Sequence, residues 1–465
     1  MLLRSALWLV FVVALGEALQ IHTSRQPPLA YLLLSVSLGC ALLATLVPLQ
    51  RLAPARAIAV RGERPLLLLA LAGLLLQLWA LATAQPSWSI KPGHSVFAVL
   101  VLGVLTCALL AALGIAERDP LGRARLPLFL AVHLALGLYV VHATPNPWID
   151  VYQYHLESFK ELLAGRSPYG HLTTNIYRGY PFPFMAPELL TPDGAFVKVG
   201  FPYPPLQLLL TLPAHLIAGD YRYVQAIAFS VSGLLMALAR PGRMAAIAAA
   251  LFLLTPRLFF MLEGSWTEPT VVLFLSLTLF CAARAPRLLP WALGGLFGIK
   301  QYAIVLAPLA AFLLPEGERT PRATVRLLAK AFAIAAAITL PFFLWSPRGF
   351  LADVLLMQMR QPFRLDSLSF MALWHLRGIV TLPSWTCFVL LGALLLAARL
   401  FAERDARGFA GATALAFGFF FATGKQAFVN YYVFALASGA WALALSAPRN
   451  AATTAQFPQT VNQGA

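Results

Sequence analysis

Asp150 follows Asn146-Pro147-Trp148-Ile149 and precedes Val151-Tyr152-Gln153-Tyr154-His155. A lone carboxylate beside a proline-stiffened turn suits one-base chemistry, in which a proton leaves an acceptor hydroxyl as its oxygen attacks a carbon bearing a good leaving group. Inverting transfer of a sugar from a phosphate needs such a base and no nucleophile, because the phosphate departs unaided. The plainer reading of Asp150 is a helix N-cap, a role aspartate fills readily.

Cations and neutral hydrogen-bonding groups elsewhere fit the same chemistry. Lys300 and Lys425 are suited to a lipid phosphate whose charge grows as its bond to the sugar breaks. Arg360 and Arg364 fit that phosphate too, or anionic headgroups. Glu263 and Glu268 flank a short loop and are able to accept from sugar hydroxyls, or to cap helices. Gln301, Gln426 and Asn430 suit a sugar or a link between helices. Tyr203, Tyr154 and His155 complete the candidates for sugar and acceptor, with interfacial aromatics and simple packing as the plainer readings. The eight histidines are scattered and no Asp-x-Asp pair occurs, so neither a metal nor another cofactor is expected. The absence of a Gly-x-x-x-x-Gly-Lys-Ser/Thr loop argues against ATP-driven transport.

The elements that position these residues are those of a membrane protein. The chain is 60% hydrophobic and 11% charged over 465 residues, and runs such as Leu66–Ala84 and Leu327–Trp345 meet the roughly 20 residues a helix needs to cross a bilayer. Leu and Ala dominate without strand-type alternation, so the expected fold is all-α and polytopic, with about 13 transmembrane helices. We place spans near 2–20, 28–48, 65–84, 95–115, 126–143, 204–218, 221–239, 244–262, 268–283, 288–314, 327–345, 384–402, 408–424 and 429–446. The segment 204–218, short and broken by Pro213, is the one that is re-entrant or interfacial if the basic loops all share one side. The net charge of +16 sits in short Arg-rich loops, the positive-inside pattern rather than a nucleic-acid surface. An inner or plasma-membrane location follows, with the Asp150 side facing outward. The four cysteines lie one per span and show no disulfide or metal spacing.

Residues 1–125 form an N-terminal extension of four spans, 126–446 the main unit, and 447–465 a polar, disordered tail. Within the main unit, Thr144–Tyr203 is a polar insert carrying six of the chain's 13 tyrosines and eight prolines. A disordered linker would be depleted of that apolar surface, so the insert is expected to fold. From Tyr152 to about Ala164 it is expected to carry an amphipathic helix lying on the membrane surface, with Leu156, Phe159, Leu162 and Leu163 as its apolar stripe. In 288–314, Gly294, Gly295 and Gly298 precede Lys300. A charge at the bilayer centre costs at least ~2.5 kcal/mol, so we expect two half-length helices meeting at a polar cavity around Lys300.

Three motifs in order carry a resemblance: Asp150-Val-Tyr-x-Tyr, Leu162-Leu-Ala-Gly-Arg-Ser-Pro-Tyr169 and Phe201-Pro-Tyr-Pro-Pro-Leu206. Together they resemble the first outer loop of the GT-C superfamily of membrane glycosyltransferases, and most closely glycosyltransferase family 87, which includes mannosyltransferases using polyprenyl-phosphate-mannose. The Gly-rich approach to Lys300 and the late motif Gly424–Tyr432 extend the resemblance over residues 140–446. It implies a GT-C-like bundle with Asp150 as base, and a polyprenyl-phosphate sugar entering from the membrane lipid as co-substrate. The acceptor it implies is a glycolipid or cell-envelope glycan. The loop Glu263-Gly-Ser-Trp-Thr-Glu268 and the histidine-free late motif depart from the family pattern, as do the four leading spans. A lipid or glycolipid transporter without covalent chemistry is the alternative, and an assembly partner without activity a third.

Overall fold

The computed structural model describes residues 2–22, 27–48, 64–83, 120–180, 184–379 and 382–446. The expected span at 95–115 and the tail at 447–465 lie outside them. Helices run as α1 (Leu2–Ile21), α2 (Pro28–Leu46), α3 (Arg64–Thr83), α4 (Pro120–Ala143) and α5 (Asp150–Leu163). After the insert come α6 (Pro205–Ala218), α7 (Arg222–Ala239), α8 (Arg243–Leu253), α9 (Arg257–Glu263), α10 (Glu268–Arg284) and α11 (Leu289–Ile299). A 3-10 helix spans Gln301–Leu313, followed by α12 (Pro321–Trp345) and α13 (Pro347–Leu351), a π-helical turn (Ala352–Leu356) and α14 (Met357–Arg360). Then follow α15 (Phe370–Leu376), α16 (Thr386–Phe401), α17 (Ala406–Ala422) and α18 (Val429–Ala444).

The molecule is an all-α polytopic membrane protein, and its described helices include fewer full-length spans than the expected 13 or so, one of which lies outside them. Six are long and apolar enough to cross a bilayer, or seven if α8 and α9, bent by 50°, form one span; five shorter apolar helices of 10–17 residues accompany them. Helix length and backbone breaks both enter: α10, α16, α17 and α18 hold only 16 or 17 residues each, and three other expected spans are broken or cut short. Pro256 interrupts 244–262, Lys300 interrupts 288–314, and α6 stops at Gly219 in the left-handed conformation. At 1.5 Å per residue, 14-residue α6 reaches about 21 Å, short of about 30 Å of hydrocarbon.

One continuous apolar core joins α1 and α2 to α17 and α18, so the N-terminal helices pack into the bundle. Helix α18 is its axis, buried at every position from Tyr432 to Ala444. Gly439 lets α1 approach it, since a Cβ there would stand 2.3 Å from the Phe11 ring. Helix α12 instead presents most of its apolar surface outward, as a lipid-facing helix does.

The insert folds onto one end of this bundle. Its helix α5 turns Val151, Tyr152, Tyr154, His155, Ser158 and Phe159 inward, while Leu163 is exposed and Leu156 and Leu162 are half-buried. The apolar stripe is therefore rotated from the expected one. Aromatic packing decides the face: His155 stacks on Tyr221 at 4.2 Å, Phe159 on His215 at 4.7 Å and Tyr152 on Tyr221 at 5.6 Å. Two short antiparallel strands, β1 (Thr173–Thr174) and β2 (Phe196–Val197), complete the insert with Thr173 opposite Val197.

Candidate active site

Asp150 opens α5 as its first residue, with Ile149 at the N-cap. One carboxylate oxygen accepts the Val151 N–H at 2.8 Å, so the anion sits at the positive end of the helix dipole. The Asp150 N–H donates to the Tyr177 hydroxyl at 3.3 Å. The carboxyl is only partly accessible, and burial raises its pKa above the ordinary carboxylate value. The Val151 N–H, the Arg364 charge and the Tyr177 hydroxyl pull it back down. A carboxylate moved toward the working pH is a better proton acceptor than an unperturbed one.

Around it the chain gathers residues distant in sequence. Arg364 forms a two-bond ion pair with Asp366, at 2.8 and 2.7 Å. Its guanidinium lies over the rings of Phe184 and Phe428, at 4.9 and 4.8 Å. Tyr431 lies within electrostatic reach of Asp150, Glu268 and Arg364, and Tyr203 within reach of Asp150, Glu268 and Tyr154.

Lys300 interrupts two helical segments with extended backbone. It is 6% exposed, and its ammonium donates to Thr267 Oγ1 at 2.6 Å and Glu268 Oε1 at 3.0 Å. The same ammonium lies 4.3 Å from the centre of the Tyr203 ring, a favourable cation–π distance. Oε2 of the fully buried Glu268 has no hydrogen-bond partner, and neither do Oε1 of Gln301, Oδ1 of Asn430 and the Tyr302 hydroxyl. Buried polar atoms normally find partners, so these four are exceptions within the fold.

The other candidates bond to nearby backbone, pack in the interior or, for Arg360, stand exposed. Lys425 donates to the carbonyls of Met359 and Gln361, both at 2.7 Å, and Gln426 to that of Pro362 at 2.9 Å. These bonds tie the late motif to the segment leading to Arg364. Gln301 Nε2 donates to the Val354 carbonyl at 3.1 Å. Arg360 is exposed at the end of α14. Glu263 is buried, and its backbone carbonyl accepts from Arg222. Tyr154 is buried beside Met185. His155 donates from Nδ1 to the Val151 carbonyl at 2.8 Å. Burial pushes its pKa down to about 3, so the ring is neutral.

Sequence reasoning missed four groups. Tyr177 touches Asp150 directly, and Tyr431, on α18, lies within its electrostatic reach. Asp353 accepts the N–H groups of Gly170 and Gly200 at 2.7 and 3.0 Å, tying the insert to the π-helical turn. Arg222 is fully buried and pairs with Asp220. It also donates to the carbonyls of Val141, Thr144 and Glu263, pinning the ends of α4 and α9 beside the site. The only signal in the sequence for Arg222 is its spacing of two residues from Asp220.

No protein-family model matches this chain, and no curated protein does. Among solved structures it is similar to the crystal structure of ArnT from Cupriavidus metallidurans bound to undecaprenyl phosphate, with 19% sequence identity and a TM-score of 0.45. The likeness covers 70% of this chain and 60% of that one, so this chain spans about 60% of that protein's length.

Proposed function

We propose that this protein is a GT-C-type membrane glycosyltransferase that moves a sugar from a polyprenyl phosphate to a hydroxyl of a glycolipid or envelope glycan. The observation that carries the reading is the partly accessible Asp150 carboxylate, its pKa raised by burial, with Arg364 acting on it and the buried Lys300–Glu268 ion pair against Tyr203, a shared neighbour. The motif order from Asp150 to Leu206 supports the superfamily, with mannose as the default sugar of family 87.

In this reading Asp150 takes the proton of the acceptor hydroxyl as that oxygen attacks the anomeric carbon. The bond from that carbon to the phosphate oxygen breaks, and the configuration inverts. Arg364 and Lys300 meet the negative charge that collects on the leaving phosphate. Glu268, Gln301 and Asn430 offer their unpartnered oxygens to sugar hydroxyls, with Tyr203 beneath. Arg360, exposed at the helix end, meets headgroups, and Lys425 with Gln426 holds the Arg364 segment in position. The site faces outward in this arrangement, so the donor arrives from the bilayer. The test is product chemistry with purified protein and a panel of labelled polyprenyl-phosphate sugars. Transfer releases polyprenyl phosphate and yields an acceptor product of inverted configuration. Movement of the intact lipid-linked sugar across the bilayer, with no free polyprenyl phosphate, would make the protein a transporter instead.

A further inference from the structure

Helices α1 and α2 precede the unit to which glycosyl transfer is assigned, and that reading gives them no role. At its start α2 meets the turn before α15. The Tyr31 hydroxyl reaches the carbonyls of Ser367 and Ser369 at 3.4 and 3.3 Å. Its ring contacts Phe370 at 5.7 Å, and Phe370 in turn stacks on Trp374 at 6.1 Å. Between the two helices lies an open cleft of about 510 Å³, lined by Pro28, Tyr31, Leu373, Trp374, Arg377 and Ile379. That volume lies in the range of small-molecule sites.

The lining has one charge. Arg377 is exposed and, among the described residues, pairs with no carboxylate. The other five side chains are apolar or aromatic, and the neighbouring Leu29, Leu32 and Leu376 are exposed. The cleft therefore continues an apolar surface of the kind that faces hydrocarbon, and an occupant enters it from the bilayer. A single guanidinium above an apolar floor matches an anionic headgroup above its chains.

We propose that the cleft between α2 and α15 binds a membrane lipid with an anionic headgroup, held by Arg377 and packed on Tyr31 and Trp374. This is independent of the glycosyl-transfer reading and stands or falls on lipid binding alone. The full-length protein is placed in phosphatidylcholine nanodiscs with rising fractions of brominated phosphatidylglycerol or brominated phosphatidylcholine. Bromine quenches nearby indoles, and the difference between wild type and Trp374→Phe isolates the Trp374 signal. Quenching by the anionic lipid should saturate at a lower fraction than quenching by the zwitterionic one. Arg377→Gln should raise the half-saturating fraction about tenfold, the loss expected for one charge-assisted contact. Arg377→Lys, which keeps the charge, should retain most of the preference. Equal quenching by both lipids, or a preference untouched in Arg377→Gln, would overturn the proposal and leave Trp374 facing bulk lipid. Displacement of the brominated lipid by inorganic phosphate would overturn it in favour of a soluble anion.

Discussion

At the residue scale the account turns on charges taken out of water. Lys300 and Glu268 are nearly inaccessible and bonded to each other at 3.0 Å, so each is the other's electrostatic partner away from water. Removing one partner of such a pair typically costs about 3–5 kcal/mol, because a lone buried charge remains. Lys300→Met and Glu268→Gln should each lower the thermal midpoint in detergent, and the double variant should be less destabilised than the sum. Additive losses would show that the pair is not coupled. The sequence made Lys300 visible, through a charge inside an apolar run after three glycines. It hid Glu268 as the partner, because nothing local separates a helix cap from an ion-pair carboxylate. Tyr177 was hidden for a related reason: aromatics are so common in the insert that none stands out before the fold selects one.

At the element scale, the π-helical turn and its flanking short helices act as a strut. Asp353 joins it to Gly170 and Gly200, Gln301 bonds to it, and Lys425 and Gln426 hold its continuation toward Arg364. Gly170 has a φ of 81°, and a Cβ there would meet the Gly349 backbone at 3.0 Å, so insert and strut touch main chain to main chain. Burial lifts the Asp353 carboxyl from 3.8 to about 7. A carboxyl with a raised folded-state pKa holds its proton more tightly folded than unfolded. Stability should therefore rise as pH falls from above 7 toward about 4, by at most about 1.4 kcal/mol per pH unit. Thermal melts from pH 8 to pH 5 should show this rise, and Asp353→Asn should flatten it. An unchanged slope in the variant would assign the effect to another group. The amphipathic pattern of α5 was readable as a helix, yet its buried face was not. Tyrosine and histidine count as polar in a periodicity argument, while in the fold their rings pack against Tyr221 and Phe201.

At the scale of the whole molecule, composition was enough for an all-α polytopic membrane protein, and the number of full-length spans was not. Hydropathy registers apolar length and is blind to the bend between α8 and α9, whereas the break at Lys300 was legible from a charge after three glycines. Residues 1–125 read as a four-span extension of the main unit; within it α1 packs on the central α18 with Gly439 at the contact. Gly439→Ala should overpack that contact and cost about 1–3 kcal/mol, read as a lower melting temperature with the helical signal retained below it. Unchanged stability would mean that α1 is only loosely docked. The central claim concerns Asp150, and the most direct measurement is the rate of sugar transfer from a polyprenyl-phosphate donor by wild-type and Asp150→Asn protein, each purified and equally folded, as a function of pH. We expect wild-type transfer to rise with pH as the carboxyl loses its proton, and the variant to be slower by about 10²–10⁴-fold with that rise abolished. Transfer by Asp150→Asn at the wild-type rate and with the wild-type pH profile would contradict the account.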